Sequence, residues 1–111
     1  MLPNQILKYI LDIESIIQEI DEIKRLNQTF EKFDADFVAK RAIERELEII
    51  GEAVNNIRKI SPDINISSVK QIVNLRNLII HSYDTVDSAI LWAIIQKDIP
   101  ILKNELIELK K

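Results

Sequence analysis

The chain has 111 residues, 47% of them hydrophobic and 30% charged, and this composition predicts one soluble globular domain spanning residues 1–111. Its net charge of −3 argues against a protein that binds nucleic acids broadly and non-specifically, because such proteins normally carry a basic face. The sequence contains one histidine and no cysteine, which excludes disulfides, a thiolate nucleophile, and zinc sites built from cysteines or several histidines.

Two long helices are predicted in the first half of the chain. Isoleucines recur every three or four positions between residues 3 and 27, which indicates an amphipathic first helix. The pattern stops at residues 27–36, where we expect a short turn that places Phe30 and Phe33 on the core. Asp34 or Asp36 then serves as the N-cap of a second helix over residues 37–60, whose apolar stripe is expected to end at Ile60.

The second helix carries a dense pattern of charges. Its spacing predicts the ion pairs Lys40–Glu44 and Arg45–Glu48 on a solvated face; the alternative is that an arginine of this face contacts a phosphate backbone. Gly51, the only glycine, lies in the middle of the helix, where it costs about 1 kcal/mol relative to alanine. Close approach of another helix is the expected compensation.

The second half of the chain is also predicted to be helical. Residues 61–66 break the pattern because they contain a proline, and Ser67 or Ser68 is expected to cap the next helix. Residues 84–87 have the form of a capping box with Asp84 as N-cap, which would start the last helix directly after Tyr83.

The last helix contains two notable residues. Pro100 should kink this helix or split it at Asp98, and Trp92 is expected to anchor the core or an interface. The elements together predict an all-α bundle of four to five helices, mostly up-and-down. No apolar run approaches the roughly 18 residues of a membrane span, and the N-terminus lacks the basic region of a signal peptide. We therefore expect a cytoplasmic protein with no membrane partner.

Arg76, His81, which is the only histidine, and Tyr83 lie close together in a segment whose aliphatic residues form a stripe on an ideal helix, namely Val69, Ile72, Val73, Ile79 and Ile80. On an ideal helix Tyr83 lies about 20° from Arg76, so both fall within an apolar stripe. Because arginine is rarely buried without a partner, this face should line a polar cleft or a subunit interface. His81 lies about 140° from Arg76. The two side chains can meet only if the helix ends or bends near residues 80–82, or if a second copy supplies one of them.

This group of residues has the chemistry needed to cleave RNA. A histidine titrates near neutrality and can act as general acid or base, and an arginine binds phosphate through its planar fork. His81 would remove a proton from a ribose 2′-hydroxyl or protonate the leaving oxygen, while Arg76 stabilises charge on the phosphate without a metal or cofactor. The alternative is that His81 is a helix cap or a hydrogen-bonded structural group.

The block Arg76-x4-His81-x-Tyr83, followed by Asp84-x-Val86-Asp87, resembles the signature of the HepT-like branch of the HEPN-domain proteins. Residues 42–53 and the Trp-x-Ile-Ile segment that begins at position 92 also resemble this family, so the similarity covers essentially the whole chain.

This resemblance implies an all-helical, HEPN-like homodimer that acts as a metal-independent endoribonuclease toxin of a type VII-like toxin–antitoxin module, with mRNA or tRNA rather than DNA as substrate. By motif match Arg76 and His81 carry catalysis and Asn77 supports the site. Tyr83 is the residue to which the partner, an MNT-type nucleotidyltransferase antitoxin, would transfer AMP and so block the cleft. The alternative is a non-catalytic subunit that binds a substrate or nucleotide for a minimal nucleotidyltransferase.

Overall fold

Two long helices, α1 (Asn4–Leu26) and α3 (Phe37–Ile60), pack against each other and form the framework of the molecule. The computed structural model describes residues 2–67, 70, 72–74 and 87–111. Each helix buries aliphatic side chains at intervals of three or four residues, which is the spacing of one helix face. The buried residues of α1 are Ile6, Ile10, Ile13, Ile17 and Ile20, and the main stripe of α3 is Ile43, Leu47, Ile50, Val54 and Ile57.

The predicted positions of both long helices are confirmed, with one exception in the stripe. Ile60, expected on the apolar face, is 38% exposed because it is the last residue of α3 and the chain turns away there. Gly51 is buried, in agreement with its expected place at a packed surface. Ser61 closes the helix by donating its backbone N–H to the Ile57 carbonyl at 2.9 Å.

A short helix, α2 (Phe30–Ala35), connects the two long helices. Thr29 is its N-cap, and the Asp36 carboxylate accepts the Ala39 backbone N–H at 3.1 Å at the start of α3. Of the two predicted N-caps for α3, Asp36 is therefore the one used. Asp34 instead accepts a hydrogen bond from the Ser88 hydroxyl.

An aromatic cluster joins α2 to the next described helix, α4 (Ser88–Ala93). Phe33 is fully buried, and its ring centroid lies 5.3 Å from that of Trp92. Phe30 meets Trp92 edge-on at 6.1 Å. The predicted placement of Phe33 on the core is confirmed, whereas Phe30 is only partly buried and packs against Trp92.

The start of α4 corrects one prediction. Asp87, rather than Asp84, is the N-cap: its backbone is not helical, and its carboxylate accepts the Ala89 backbone N–H at 2.8 Å. An aspartate can cap a helix by accepting a backbone N–H two or three residues after it, and both Asp84 and Asp87 meet this requirement locally. The local sequence alone therefore did not identify Asp87 as the N-cap. Asp84 itself lies outside the described residues.

A π-helical turn, Ile94–Asp98, separates α4 from α5 (Ile99–Leu109). The Ile99 N–H donates to the carbonyl five residues earlier, which is the π-helical spacing. Pro100 follows in the first turn of α5. The interruption predicted near Asp98 is confirmed and has the form of a widened turn rather than a break.

The backbone at this turn is held by a side chain from α1. Proline has no N–H, so Pro100 cannot donate to the Ile95 carbonyl five residues before it. The Lys24 ammonium donates to this carbonyl at 3.2 Å. A lysine on another helix thus replaces the missing backbone donor.

The chain between α3 and α4 is described only in part. The Ser67 hydroxyl and backbone N–H both donate to the Glu105 carboxylate of α5 at 2.8 Å. Lys70 and residues 72–74 are helical, and Ile72 is fully buried. Ser68, the other predicted cap, lies outside the described residues.

The fold class is all-α, as predicted: the described residues form helices, turns and loops and contain no strand. None of the helices in the described ranges is long and apolar enough to cross a membrane.

Candidate functional site

The residues predicted to carry catalysis and modification, Arg76, Asn77, His81 and Tyr83, lie outside the described residues. Their arrangement therefore stays a prediction. On the near side the described chain ends with a helical segment whose Ile72 is fully buried in the core. On the far side it resumes at residue 87, the N-cap of α4.

A polar groove lies along the C-terminal half of α3. It encloses about 380 Å³ and is lined, among the described residues, by side chains of this one helix: Glu52, Asn55, Asn56, Arg58 and Lys59. We call this feature the α3 groove. It holds two cations, two amides and one carboxylate, and it is therefore suited to an anionic or strongly hydrogen-bonding ligand.

Helical periodicity explains why four of these side chains face away from the core, whereas Arg58 lies at its edge, about 40° from the buried Val54. At 100° per residue, Asn55, Asn56 and Lys59 lie within about 60° of Glu52, whereas the buried Val54 lies about 160° from it. Sequence reasoning did not single out these residues. The sequence feature that could have indicated a binding surface is the change of composition along α3, from alternating arginines and glutamates in its first half to amides and cations in its second half.

Arg58 connects the α3 groove to the chain that leads to the predicted motif. Its Nη2 donates to the Ile66 backbone carbonyl at 3.1 Å, and this contact is partly buried. Ile66 precedes Arg76 by ten positions. Among the described residues, this is the one hydrogen bond that the guanidinium makes, and a guanidinium carries five N–H donors.

The cations of the α3 groove differ from the other arginines of α3 in their partners. Arg41 and Arg45 pair with Glu44 and Glu48, each at 3.5 Å. Within the described part of the chain, neither Arg58 nor Lys59 forms an ion pair.

The predicted ion pairs of α3 are therefore half right. Arg45–Glu48 is confirmed, but Lys40–Glu44 is wrong: Lys40 lies 3.8 Å from Asp34 of α2. A tertiary neighbour replaces the partner one turn away on the same helix. The pairing of Arg41 and Arg45 also favours the solvated-face interpretation of this half of α3 over phosphate contact.

Two further cavities, of about 450 and 520 Å³, lie beside α5. The described lining of the first contains carboxylates, amides and aliphatic groups but no cation. The second contains Lys110 and Lys111, which pair with Glu14 at 2.7 Å and Glu108 at 3.0 Å. Neither cavity offers an unpaired cation of the kind found in the α3 groove.

A pair of carboxyl groups, Glu19 of α1 and Glu46 of α3, was missed by sequence reasoning. One oxygen of Glu46, Oε2, is buried and has no hydrogen-bond partner among the described residues. Burial raises the pKa of Glu46 to about 7, and the neighbouring Glu19 carboxylate adds to this rise. The sequence feature that could have indicated this burial is the position of Glu46 on α3, about 40° around the helix from the buried Ile50.

No group of three or more histidine, aspartate or glutamate side chains in the described ranges is arranged to hold a metal ion. The chemistry that these ranges offer is anion binding in the α3 groove and proton uptake at Glu46.

Comparison with known proteins gives one family. The Thermococcus cleftensis protein named a probable ribonuclease HepT is 36% identical over 107 residues, which cover 93% of this chain and 94% of that protein. A Caldanaerobacter subterraneus protein provisionally named an RNase is 40% identical over 103 residues, 87% of this chain and 89% of its own length. A Methanocaldococcus jannaschii protein with the same kind of name is 30% identical over 109 residues, 95% and 96% of the two chains.

No solved structure matches this chain significantly. The family described as Ribonuclease HepT-like matches residues 13–109, a range that includes the whole Arg76–Tyr83 block, the α3 groove and all the described helices except the first turns of α1. The chain therefore belongs to the HepT-like ribonuclease family.

Proposed function

We propose that the protein is a metal-independent endoribonuclease toxin that cleaves RNA in a cleft between two identical subunits. The observation that carries this proposal is the family match over residues 13–109, which includes the only histidine of the chain and the arginine five positions before it. The names of the relatives, which refer to ribonuclease HepT and RNases, support the same reaction class.

The reaction requires two proton transfers around one phosphate. A base takes the proton of the ribose 2′-hydroxyl, whose oxygen attacks the adjacent phosphorus; the bond to the 5′-oxygen breaks, and an acid protonates that leaving oxygen. The products are a 2′,3′-cyclic phosphate and a 5′-hydroxyl. Arg76 stabilises the negative charge that grows on the phosphate oxygens in the transition state.

A dimer supplies what one subunit lacks. One histidine cannot easily act as base and acid in the same step, whereas two copies of His81 facing each other can divide the two tasks. A two-fold cleft also allows Arg76 of one subunit to approach His81 of the other. Within one chain the two side chains would point in different directions if residues 76–81 formed a straight helix. Asn77 supports this site.

Control of the nuclease is proposed to act through Tyr83. Transfer of AMP from ATP onto its hydroxyl by an MNT-type nucleotidyltransferase antitoxin, with release of pyrophosphate, would place an anionic nucleotide two positions from His81. The bound nucleotide would repel RNA phosphates from Arg76 and occupy the cleft. This regulation makes the protein the toxin of a type VII-like toxin–antitoxin module.

Purified protein incubated with single-stranded mRNA and tRNA in EDTA tests the proposal. We expect cleavage in the presence of EDTA, with products that carry 2′,3′-cyclic phosphate ends. Arg76→Ala and His81→Ala should each lower the rate by at least about 100-fold, because each removes a group used in the transition state. Arg41→Ala, which changes a surface arginine paired with Glu44, is the matched control and should cleave normally.

Circular dichroism of all three variants verifies that they fold. Cleavage that needs a divalent metal, or that survives His81→Ala, would contradict the proposed mechanism. A folded protein that cleaves none of these RNAs but binds a nucleotidyltransferase tightly would instead support the non-catalytic subunit.

A further inference from the structure

We propose that the α3 groove binds a backbone phosphate of the RNA, away from the residues that cleave it. This inference rests on the proposed function for the class of substrate. Proteins that act on RNA draw much of their affinity from such sequence-independent phosphate contacts. The α3 groove would position the strand and leave the chemistry to Arg76 and His81.

The charge distribution of the molecule supports this location. The protein has a net charge of −3, and eight of its fourteen described lysines and arginines form ion pairs with carboxylates. Among the described residues, the exposed Lys59 has no ion-pair partner and Arg58 has the Ile66 carbonyl as its one partner. An incoming phosphate would therefore meet two cations that need not first break an ion pair.

The donors around these cations suit a phosphodiester. Each asparagine amide supplies two N–H donors, and the guanidinium of Arg58 retains donors beyond the one used for Ile66. Glu52 would repel an anion, but it precedes Lys59 by seven residues, about 10 Å along the helix axis. The phosphate is therefore expected at the Arg58–Lys59 end of the α3 groove.

The α3 groove is also within reach of the proposed cleavage site. Arg58 holds Ile66 at 3.1 Å, and ten residues from Ile66 to Arg76 span at most about 35 Å even when fully extended. One RNA strand can contact both places. A strand held at the α3 groove would lose less freedom on entering the cleft, which lowers KM without changing the chemical step.

The position of both cations in the last turn of α3 gives them a second role, since they also complement the negative end of the helix dipole. If Arg58 and Lys59 interacted only with the helix dipole, their substitution would lower the stability of the fold but would not change RNA binding. Lys32 provides the matched control: it is exposed, lies in the last turn of α2 and forms no ion pair among the described residues.

The test compares Lys59→Gln with Lys32→Gln, each of which removes one positive charge. Affinity is measured by fluorescence anisotropy with a labelled single-stranded 2′-O-methyl RNA, which lacks the attacking hydroxyl and cannot be cleaved by the proposed route. We expect Lys59→Gln to raise Kd about three- to tenfold and to reduce the slope of log K against log salt by about 0.7, the value for one lost phosphate contact. Lys32→Gln should change neither value beyond the common effect of net charge.

The second measurement is steady-state cleavage of unmodified RNA, in which Lys59→Gln should raise KM and leave kcat unchanged. Equal Kd and salt slope for the two variants, or a lower melting temperature for Lys59→Gln with unaltered RNA affinity, would overturn the assignment. If binding depends on Lys59 in a protein that cleaves no RNA, the proposed nuclease activity fails and the α3 groove stands. If cleavage occurs with no dependence on Lys59, the assignment of the α3 groove fails alone.

Discussion

At the scale of single residues, Glu46 makes stability depend on pH. Its folded-state pKa of about 7 lies above the ordinary value of 4.5, chiefly because burial penalises the charged form. The neutral carboxyl is therefore favoured in the folded protein. Its contribution to stability is fully present below about pH 4.5 and is lost as the pH rises through about 7.

The substitution Glu46→Gln should remove this dependence. At about pH 8 the variant should be more stable than the wild type by about 1 kcal/mol, a value reduced to allow for solvent screening of a partly exposed group. At about pH 4.5 the two proteins should be nearly equal, because the wild-type carboxyl is then protonated. Urea unfolding at the two pH values measures the difference.

Glu31→Gln, at an exposed position of α2, is the control for the loss of a negative charge. An equal effect of Glu46→Gln at both pH values would contradict the role of the Glu19–Glu46 pair.

At the scale of elements, the π-helical turn and Lys24 depend on each other. Lys24→Met leaves the Ile95 carbonyl without its donor and should cost about 1–3 kcal/mol of unfolding free energy. Pro100→Ala restores a backbone N–H, so Lys24→Met should cost clearly less in that background. Urea unfolding of both single variants and the double variant gives the coupling energy.

Lys103→Met provides the comparison for this cycle. Lys103 also joins α5 to α1, but through an exposed ion pair with Asp21 at 3.8 Å. Such pairs contribute about 0–1 kcal/mol, and the cost should not change with the residue at position 100. A Lys24→Met cost that is the same with proline and with alanine would show that the missing N–H is not the reason for the contact.

The sequence predicts helix boundaries best where a single nearby residue can set the boundary. The proline at position 62 predicts the end of α3, and Pro100 predicts the interruption near Asp98, because proline imposes its own backbone requirement. At the start of α3 Asp34 competed with Asp36, and the sequence did not decide between them. The choice between Asp84 and Asp87 was wrong because either carboxylate can cap a helix. The partner of Lys40 was wrong because Asp34, on another helix, is close only after folding.

The candidate site was predictable to a lesser extent. The spacing of Arg76, His81 and Tyr83 predicts a functional cluster and the family, but not which chain brings the arginine to the histidine. The α3 groove could not be predicted, because Asn55 and Lys59 look like ordinary solvated residues until the structure shows which cations have carboxylate partners.

At the scale of the whole molecule, the proposed cleft requires two subunits. Helical bundles of this size readily form two-fold dimers, in which the same surface of each copy meets the other. In the proposed cleft, the two copies of His81 face each other across the symmetry axis and act on one phosphate, which Arg76 binds.

Subunit mixing tests this claim most directly. His81→Ala subunits are mixed with an equal amount of wild-type subunits, so that after exchange half of the dimers are mixed and a quarter are wild type. Because a mixed dimer has only one His81, cleavage in EDTA should fall to about a quarter of the rate of the same total amount of wild-type protein. A rate of about one half, although native mass spectrometry shows mixed dimers, would mean that each subunit acts with its own histidine and would contradict the shared cleft.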